Sequence, residues 1–298
     1  MPILQESAGD MLANRSAAIS RLSKLRPFHP AMLRLLSVPV ESDSATDDFE
    51  LILQRDPALA SRLLRVANSP WYGFCGGVES VSQAIALMGL EGIRSLAITL
   101  AIRSHLRDSQ TTGLIRSVWA HSLATAVIAE TIGTAAGGDL PFLYIAGLLH
   151  DLGRLGLLNI EGERYAGVLT RKYFDLDESL LLEGLLFGCA HDDAGAFLGR
   201  AWGFPEPLCD CIQRHHQPSA AEGSLPLQQM VQLACSTASS LGMGEVECEA
   251  ETRPALDGSL AERICQAPAM QPESLRLRIH IMVETLATAD AHPQDGSR

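Results

Sequence analysis

The stretch Asp56-Pro-Ala-Leu-Ala-Ser-Arg-Leu-Leu-Arg-Val-Ala-Asn68-Ser-Pro70 opens and closes one helix. Asp56 offers a capping oxygen. Pro57 stands at the first helical position, where its missing N–H is no loss. Leu59, Leu63, Leu64 and Ala67 follow at helical spacing. Pro70 disfavours helix in the residue before it, so the chain leaves the helix at Asn68 and Ser69. Trp71, Tyr72 and residues 73–77 then read as a loop.

The helical period continues on both sides. Phe28, Met32, Leu35 and Leu36 follow the Pro27 and Pro30 signals, and residues 46–54 turn Phe49, Ile52 and Leu53 inward. Residues 80–88 and 91–106 read as paired helices joined at Gly89. The pair superficially resembles a helix-turn-helix. Residues 95–102 are too apolar to lie in a nucleic-acid groove, so core packing is the better account. Further helices are predicted over 117–132, 139–151, 165–173, 178–187, 191–202, 205–216, 225–241, 261–265 and 272–289, with 155–158 continuing the second of these or starting a short turn. Residues 1–20 read as a flexible leader, 242–259 as a mobile polar linker and 291–298 as a frayed tail. No alternating pattern of strand length stands out, and no repeat is visible. The chain is therefore predicted to be all-α.

Composition narrows the function classes. The chain has 298 residues, room for one large domain or two ordinary ones. Hydrophobic residues make up 47%, which argues against wholesale disorder; aromatics make up only 5%, so Leu, Ala, Ile and Val must fill the core. A net charge of −12 disfavours generic nucleic-acid or membrane binding. Arg21, Lys24, Arg26 and Arg34 are read as a solvated helix face. The seven cysteines, at 75, 189, 209, 211, 235, 248 and 265, are odd in number and irregular in spacing. With an N-terminus unlike a secretion signal, they imply reduced thiols and a cytoplasmic protein. No Cys-x-x-Cys pair occurs, which argues against a zinc knuckle. No uninterrupted apolar run of about 18 residues suggests a membrane span.

The chemistry-bearing residues are His121, His150, Asp151, His191, His215 and His216. His150 and Asp151 end an apolar helix. Two polar groups there carry a desolvation cost unless a metal ion or mutual hydrogen bonds satisfy them. Imidazoles and a carboxylate are usual ligands for Fe, Mn, Ni or Zn. A bridging carboxylate can serve two ions about 3.5–4 Å apart, which clamp the attacking and leaving oxygens of a phosphodiester. A single His at a helix end is more often a cap or core residue. The His-Asp and His-His doublets together raise the metal reading, while His29, His105, His280 and His292 lack such context.

Ordered blocks carry a resemblance to HDOD domains. They are the 56–70 stretch with Trp71-Tyr72-Gly; Val81-Ser-Gln-Ala-Ile-Ala-Leu-Met-Gly89-Leu-Glu-Gly-Ile-Arg-Ser; Trp119-Ala-His121-Ser; Gly147-Leu-Leu-His150-Asp151-Leu-Gly-Arg; His191-Asp-Asp-Ala-Gly195; Trp202-Gly-Phe-Pro-Glu-Pro; and Ile212-Gln-Arg-His215-His216. The resemblance covers about residues 21–241. It implies an N-terminal helical part, about 21–115, packed on an HD-like part, about 116–241, with a C-terminal loop and helices over 242–298. It also implies bacterial signalling, without demonstrated hydrolase activity, and a relationship to HD and HD-GYP phosphodiesterases.

The departures bear on chemistry. Gln217-Pro-Ser follows the paired histidines, where active HD-GYP relatives carry an acid and a Gly-Tyr-Pro segment. Arg154 replaces the usual Lys. The final metal-binding Asp of HD enzymes matches Cys235, and residues 225–241 hold no acid at all. Cys235 is read first as a small core residue, with thiolate ligation the alternative. The expected function is a non-catalytic or weakly catalytic regulatory module. It binds a protein partner, with a nucleotide or a divalent Fe, Mn or Zn ion as further ligands. The alternative is a metal-dependent phosphohydrolase acting on a cyclic dinucleotide or nucleotide. In that reading Asp151 binds the metal and Arg154 contacts a phosphate.

Overall fold

A computed structural model describes residues 8–75, 77–107, 112–137, 142–173, 175–217, 227–244, 247–248 and 258–289. Its elements, in chain order, begin with α1 (Ala8–Leu22), α2 (Pro30–Ser37), α3 (Ala45–Gln54), α4 (Pro57–Ala67), α5 (Val81–Arg107), α6 (Thr112–Ala136), α7 (Leu143–Leu149), α8 (Leu152–Glu161) and α9 (Glu163–Leu169). There follow β1 (Lys172–Tyr173), α10 (Leu176–Phe187), α11 (His191–Ala201), α12 (Glu206–Arg214), α13 (Leu227–Ala238), a wide turn over Ser239–Met243, β2 (Glu247–Cys248), α14 (Gly258–Gln266), a short turn at Pro268–Met270 and α15 (Pro272–Ala289). The all-α prediction holds.

The chain divides into two compact units, one of Met1–Pro27 with Ser109–Met270, the other of Phe28–Asp108 with Gln271–Arg298. In the second unit, Asp56 caps α4 as predicted, its carboxylate accepting from Leu59 N at 3.0 Å. Asn68 then clips the following loop shut. Its Nδ2 donates to the Val78 carbonyl at 2.8 Å and its Oδ1 accepts from Val78 N at 2.6 Å. Helix α5 breaks at Gly89, where φ is 72° and ψ 167°. Past the break, Ile93, Leu96, Ala97, Ile98 and Leu100 are buried. Residues 81–106 are long and apolar enough by composition to cross a membrane, but this burial accounts for their apolarity. The fully buried Arg94 donates to the Val38 carbonyl and to Glu91. Helix α15 packs on α4, burying Leu275, Ile279, Met282 and Leu286.

In the first unit, α6 packs along α7 and α13, α8 along α11, and α11 along α12. Two glycines make this packing close. A Cβ on Gly147 would stand 2.9 Å from Ala126 Cα on α6; one on Gly153 would stand 1.8 Å from the His191 carbonyl oxygen on α11.

Several boundaries differ from the sequence reading. The expected leader, 1–20, overlaps α1, which runs on to Leu22, packs on α8, α10 and α11 and buries Ala18 and Leu22; residues 1–7 lie outside the described ones. The units divide at 27/28, 108/109 and 270/271, not at 115/116 and 241/242, because the apolar face of α15 returns to α4. The helix expected over 139–151 stops at Leu149, with 138–141 outside the described residues. The helix expected over 165–173 gives way to β1, which pairs in parallel with β2 inside the expected linker. Most of that linker and the tail at 291–298 lie outside the described residues.

Candidate metal centre

Five segments converge in the first unit. Helix α6 carries His121; the break between α7 and α8 carries His150 and Asp151; α11 begins at His191; His215 and His216 follow α12; α13 carries Cys235. The predicted residues are thus brought together. Asp151 sits where one helix has ended and the next begins, at φ −99° and ψ 24°.

The histidines share one orientation device. His121 Nδ1 contacts the Met243 carbonyl at 2.8 Å, His150 Nδ1 the Gly147 carbonyl at 2.7 Å, and His215 Nδ1 the Ile212 carbonyl at 2.7 Å. His191 Nδ1 contacts Glu183 Oε2 at 2.7 Å. A carbonyl or carboxylate oxygen can only accept, so each Nδ1 carries the proton. In the neutral ring each Nε2 then presents a lone pair, the arrangement that metal-binding histidines use.

Those Nε2 atoms surround Asp151. His121 and His150 lie 3.8 and 3.1 Å from its Oδ2; His191 and His215 lie 3.2 and 3.7 Å from its Oδ1. His216 Nε2 stands 2.9 Å from His191 Nε2, and Cys235 Sγ stands 3.5 Å from His121 Nε2. The donors fall into two groups, Asp151/His191/His215/His216 and His121/His150/Cys235, with ligand atoms in each group within 4.8 Å of one another. His121, His150, Asp151, His191 and His215 are buried, and His216 and Cys235 partly so.

Charge is heavily organised. Burial pushes the Asp151 carboxyl up, but His150 and Arg154 hold it well below the usual range. Burial likewise opposes protonation of His191, as does Arg154, yet Glu183 and Asp151 raise it to about 9. His216 is held well below its ordinary value by burial and by its His215 and His191 neighbours. Burial would raise the Cys235 thiol, but His121 and His150 draw it well below the thiol range.

Two nitrogens decide what this arrangement suits. The Nε2 atoms of His150 and His215 are buried without a hydrogen bond, each with only an ion-pair approach to Asp151, at 3.1 and 3.7 Å. Buried polar atoms are rarely left so, and a cation between each nitrogen and the Asp151 oxygen it faces would satisfy it. One such nitrogen lies in each donor group.

The HDOD domain model matches residues 25–218. The chain belongs to the HDOD family. Among solved structures, an HDOD domain protein of unknown function from Geobacter sulfurreducens aligns with TM-score 0.69 and 24% identity, over 95% of this chain and 98% of that one. A proposed metal-dependent phosphohydrolase from Shewanella amazonensis aligns with TM-score 0.59 and 18% identity, over 92% and 99%. A proposed signal transduction protein from Marinobacter aquaeolei aligns with TM-score 0.68 and 19% identity, over 97% and 68%. These likenesses show the fold. In sequence, an uncharacterized Treponema pallidum protein is 26% identical over 215 residues, 71% of this chain. A Thermus thermophilus Ribonuclease Y is 26% identical over 144 residues, 48% of this chain. The matches span 42% and 20% of those proteins' own lengths.

Two readings of the sequence change in this HDOD protein. Arg154, offered there as a phosphate contact, is buried; its guanidinium lies 3.2 Å from Asp151 Oδ1 and 3.2 Å from Glu183 Oε1. Those ion pairs direct it inward, so it braces two carboxylates. Cys235, read first as a core residue, faces His121. The sequence reading also missed Glu183. This buried acid accepts from His191 N, His191 Nδ1, Arg154 and the Tyr165 hydroxyl. A single acid within Leu180-Leu-Leu-Glu-Gly-Leu-Leu-Phe187 was the available signal, because a charge in so apolar a run needs partners once it is buried.

Proposed function

We propose that this HDOD protein is a regulatory binding module built around a divalent-metal centre, acting through a protein partner rather than by turnover. The observation that carries this reading is the enclosure of the centre. Asp151 and the four Nε2-bearing side chains around it are at most 3% exposed, which leaves little room for a phosphodiester to reach a metal-bound nucleophile. Fe, Mn and Zn all accept such donors. The signalling name of the Marinobacter structure agrees. So does a stripe of exposed leucines on α10, Leu181, Leu185 and Leu186, of the kind that protein partners cover. The same helix delivers Glu183 to His191, which gives the centre a mechanical link to that stripe. A nucleotide as second ligand belongs to the same reading.

One feature favours a phosphohydrolase instead. The two oxygens of Asp151 face different donor groups, as a carboxylate bridging two ions would. Elemental analysis of purified protein, with hydrolysis assays on bis-p-nitrophenyl phosphate and cyclic dinucleotides, separates the readings. The regulatory reading expects bound metal, lost in Asp151→Ala, and no turnover above that variant's background. Turnover abolished by Asp151→Ala would overturn it.

A further inference from the structure

The two donor groups differ in chemistry. One offers a carboxylate and three imidazoles, the other two imidazoles and a thiol. We propose that the two groups are unequal metal subsites, and that His121, His150 and Cys235, closed by Asp151 Oδ2, form a four-ligand site selective for a thiophilic ion such as Zn2+. This rests on the metal-centre reading above and adds the identity and closure of one subsite.

Three observations carry it. With a Zn–S bond of about 2.3 Å and a Zn–N bond of about 2.05 Å, a tetrahedral ion separates its sulfur and nitrogen ligands by about 3.6 Å. Cys235 Sγ and His121 Nε2 stand 3.5 Å apart. The buried Nε2 of His150 has no hydrogen-bond partner and belongs to the same group. Asp151 Oδ2 lies 3.1 and 3.8 Å from His150 and His121 Nε2, on either side of the roughly 3.4 Å nitrogen–oxygen edge of such a tetrahedron. Thiolate favours Zn2+ over the harder Mn2+, whereas the carboxylate and imidazoles opposite suit either.

Closure has a functional consequence. Structural zinc sites use four protein ligands, while catalytic ones keep a position for water. A subsite filled by Cys235, His121, His150 and Asp151 has no such position, so its ion holds α6, α13 and the α7–α8 break together and activates no nucleophile.

Co2+ titration of the full-length, metal-stripped protein tests this. Co2+ takes tetrahedral zinc sites and gives a near-ultraviolet thiolate-to-cobalt charge-transfer band. The wild type should show the band, and Zn2+ should displace it. His216→Ala should keep it, having lost a ligand only from the other subsite. Cys235→Ser should lose it and bind Zn2+ at that subsite at least 10- to 100-fold more weakly, the loss that even an outer partner's removal brings. Cys235→Asp should bind Co2+ without the band and shift selectivity towards Mn2+. Co2+ bound to wild type without the band would overturn thiolate ligation and leave the metal centre standing. No Co2+ or Zn2+ bound at all would overturn both.

Discussion

One carboxylate oxygen of Glu183 accepts both from the backbone N–H of His191, at 2.8 Å, and from its Nδ1, at 2.7 Å. The other oxygen takes Tyr165 and Arg154. Glu183 therefore fixes where α11 begins and which ring nitrogen of His191 faces Asp151.

Glu183→Gln should cost about 3–5 kcal/mol in the metal-stripped protein, because it leaves Arg154 and His191 short of a buried counter-charge. Its pH signature is specific. The Glu183 carboxyl is lowered from 4.5 to about 2, so its contribution is full above 4.5 and fades as pH falls towards 2. His191 is raised from 6.5 to about 9, so its contribution is full below 6.5 and fades as pH rises towards 9. Urea unfolding across pH should show both limbs shallower in the variant than in the wild type. Parallel profiles would refute the coupling.

Gly153→Ala should separate α8 from α11, because its Cβ would meet the His191 carbonyl at 1.8 Å. Backbone cannot step aside as a side chain can, so the loss should exceed the roughly 1–3 kcal/mol of ordinary overpacking. Gly167→Ala on α9 is the matched control, with nothing within 4 Å of its added carbon. It should be neutral or stabilise by up to about 1 kcal/mol. Thermal melts of the two variants make the comparison, and equal melting temperatures would discount the contact.

Asn68→Ala should loosen the loop that follows α4, since it removes both bonds to Val78. The expected cost is about 1–3 kcal/mol, with faster limited proteolysis within 69–77. Unchanged cleavage there would mean the loop is held by other contacts.

Thiol labelling with peptide mapping should divide the cysteines. Cys75 and Cys265 are exposed and should react first. Burial raises Cys189 and Cys209 to about 11 and Cys211 to about 12, so these should label only on unfolding. Early labelling of Cys211 would contradict the packing of α12.

Much of this was legible in the sequence. The Asp56-Pro57 start, the stop at Asn68 and the Gly89 joint are local signals, and the structure realises each locally. The convergence of His121, His150, Asp151, His191, His215 and His216 was legible because each lies in a distinctive block. What stayed hidden depends on contacts distant in sequence. Helix α1 carries little apolar patterning of its own, and its place comes from α8, α10 and α11. Two-residue strands are too short to alternate, so β1 and β2 exist only as a pair. The role of Cys235 depends on a neighbour 114 positions away.

Asp151 turns one oxygen to each donor group, so the two groups are one thermodynamic object. A positive charge arriving on one side draws electron density from the carboxylate that the other side also needs. Whatever factor the first occupant imposes on the second, proton or metal, the second imposes in equal measure on the first. Two ions loaded there would therefore be mutually dependent, coupled through a single side chain at the junction of two helices.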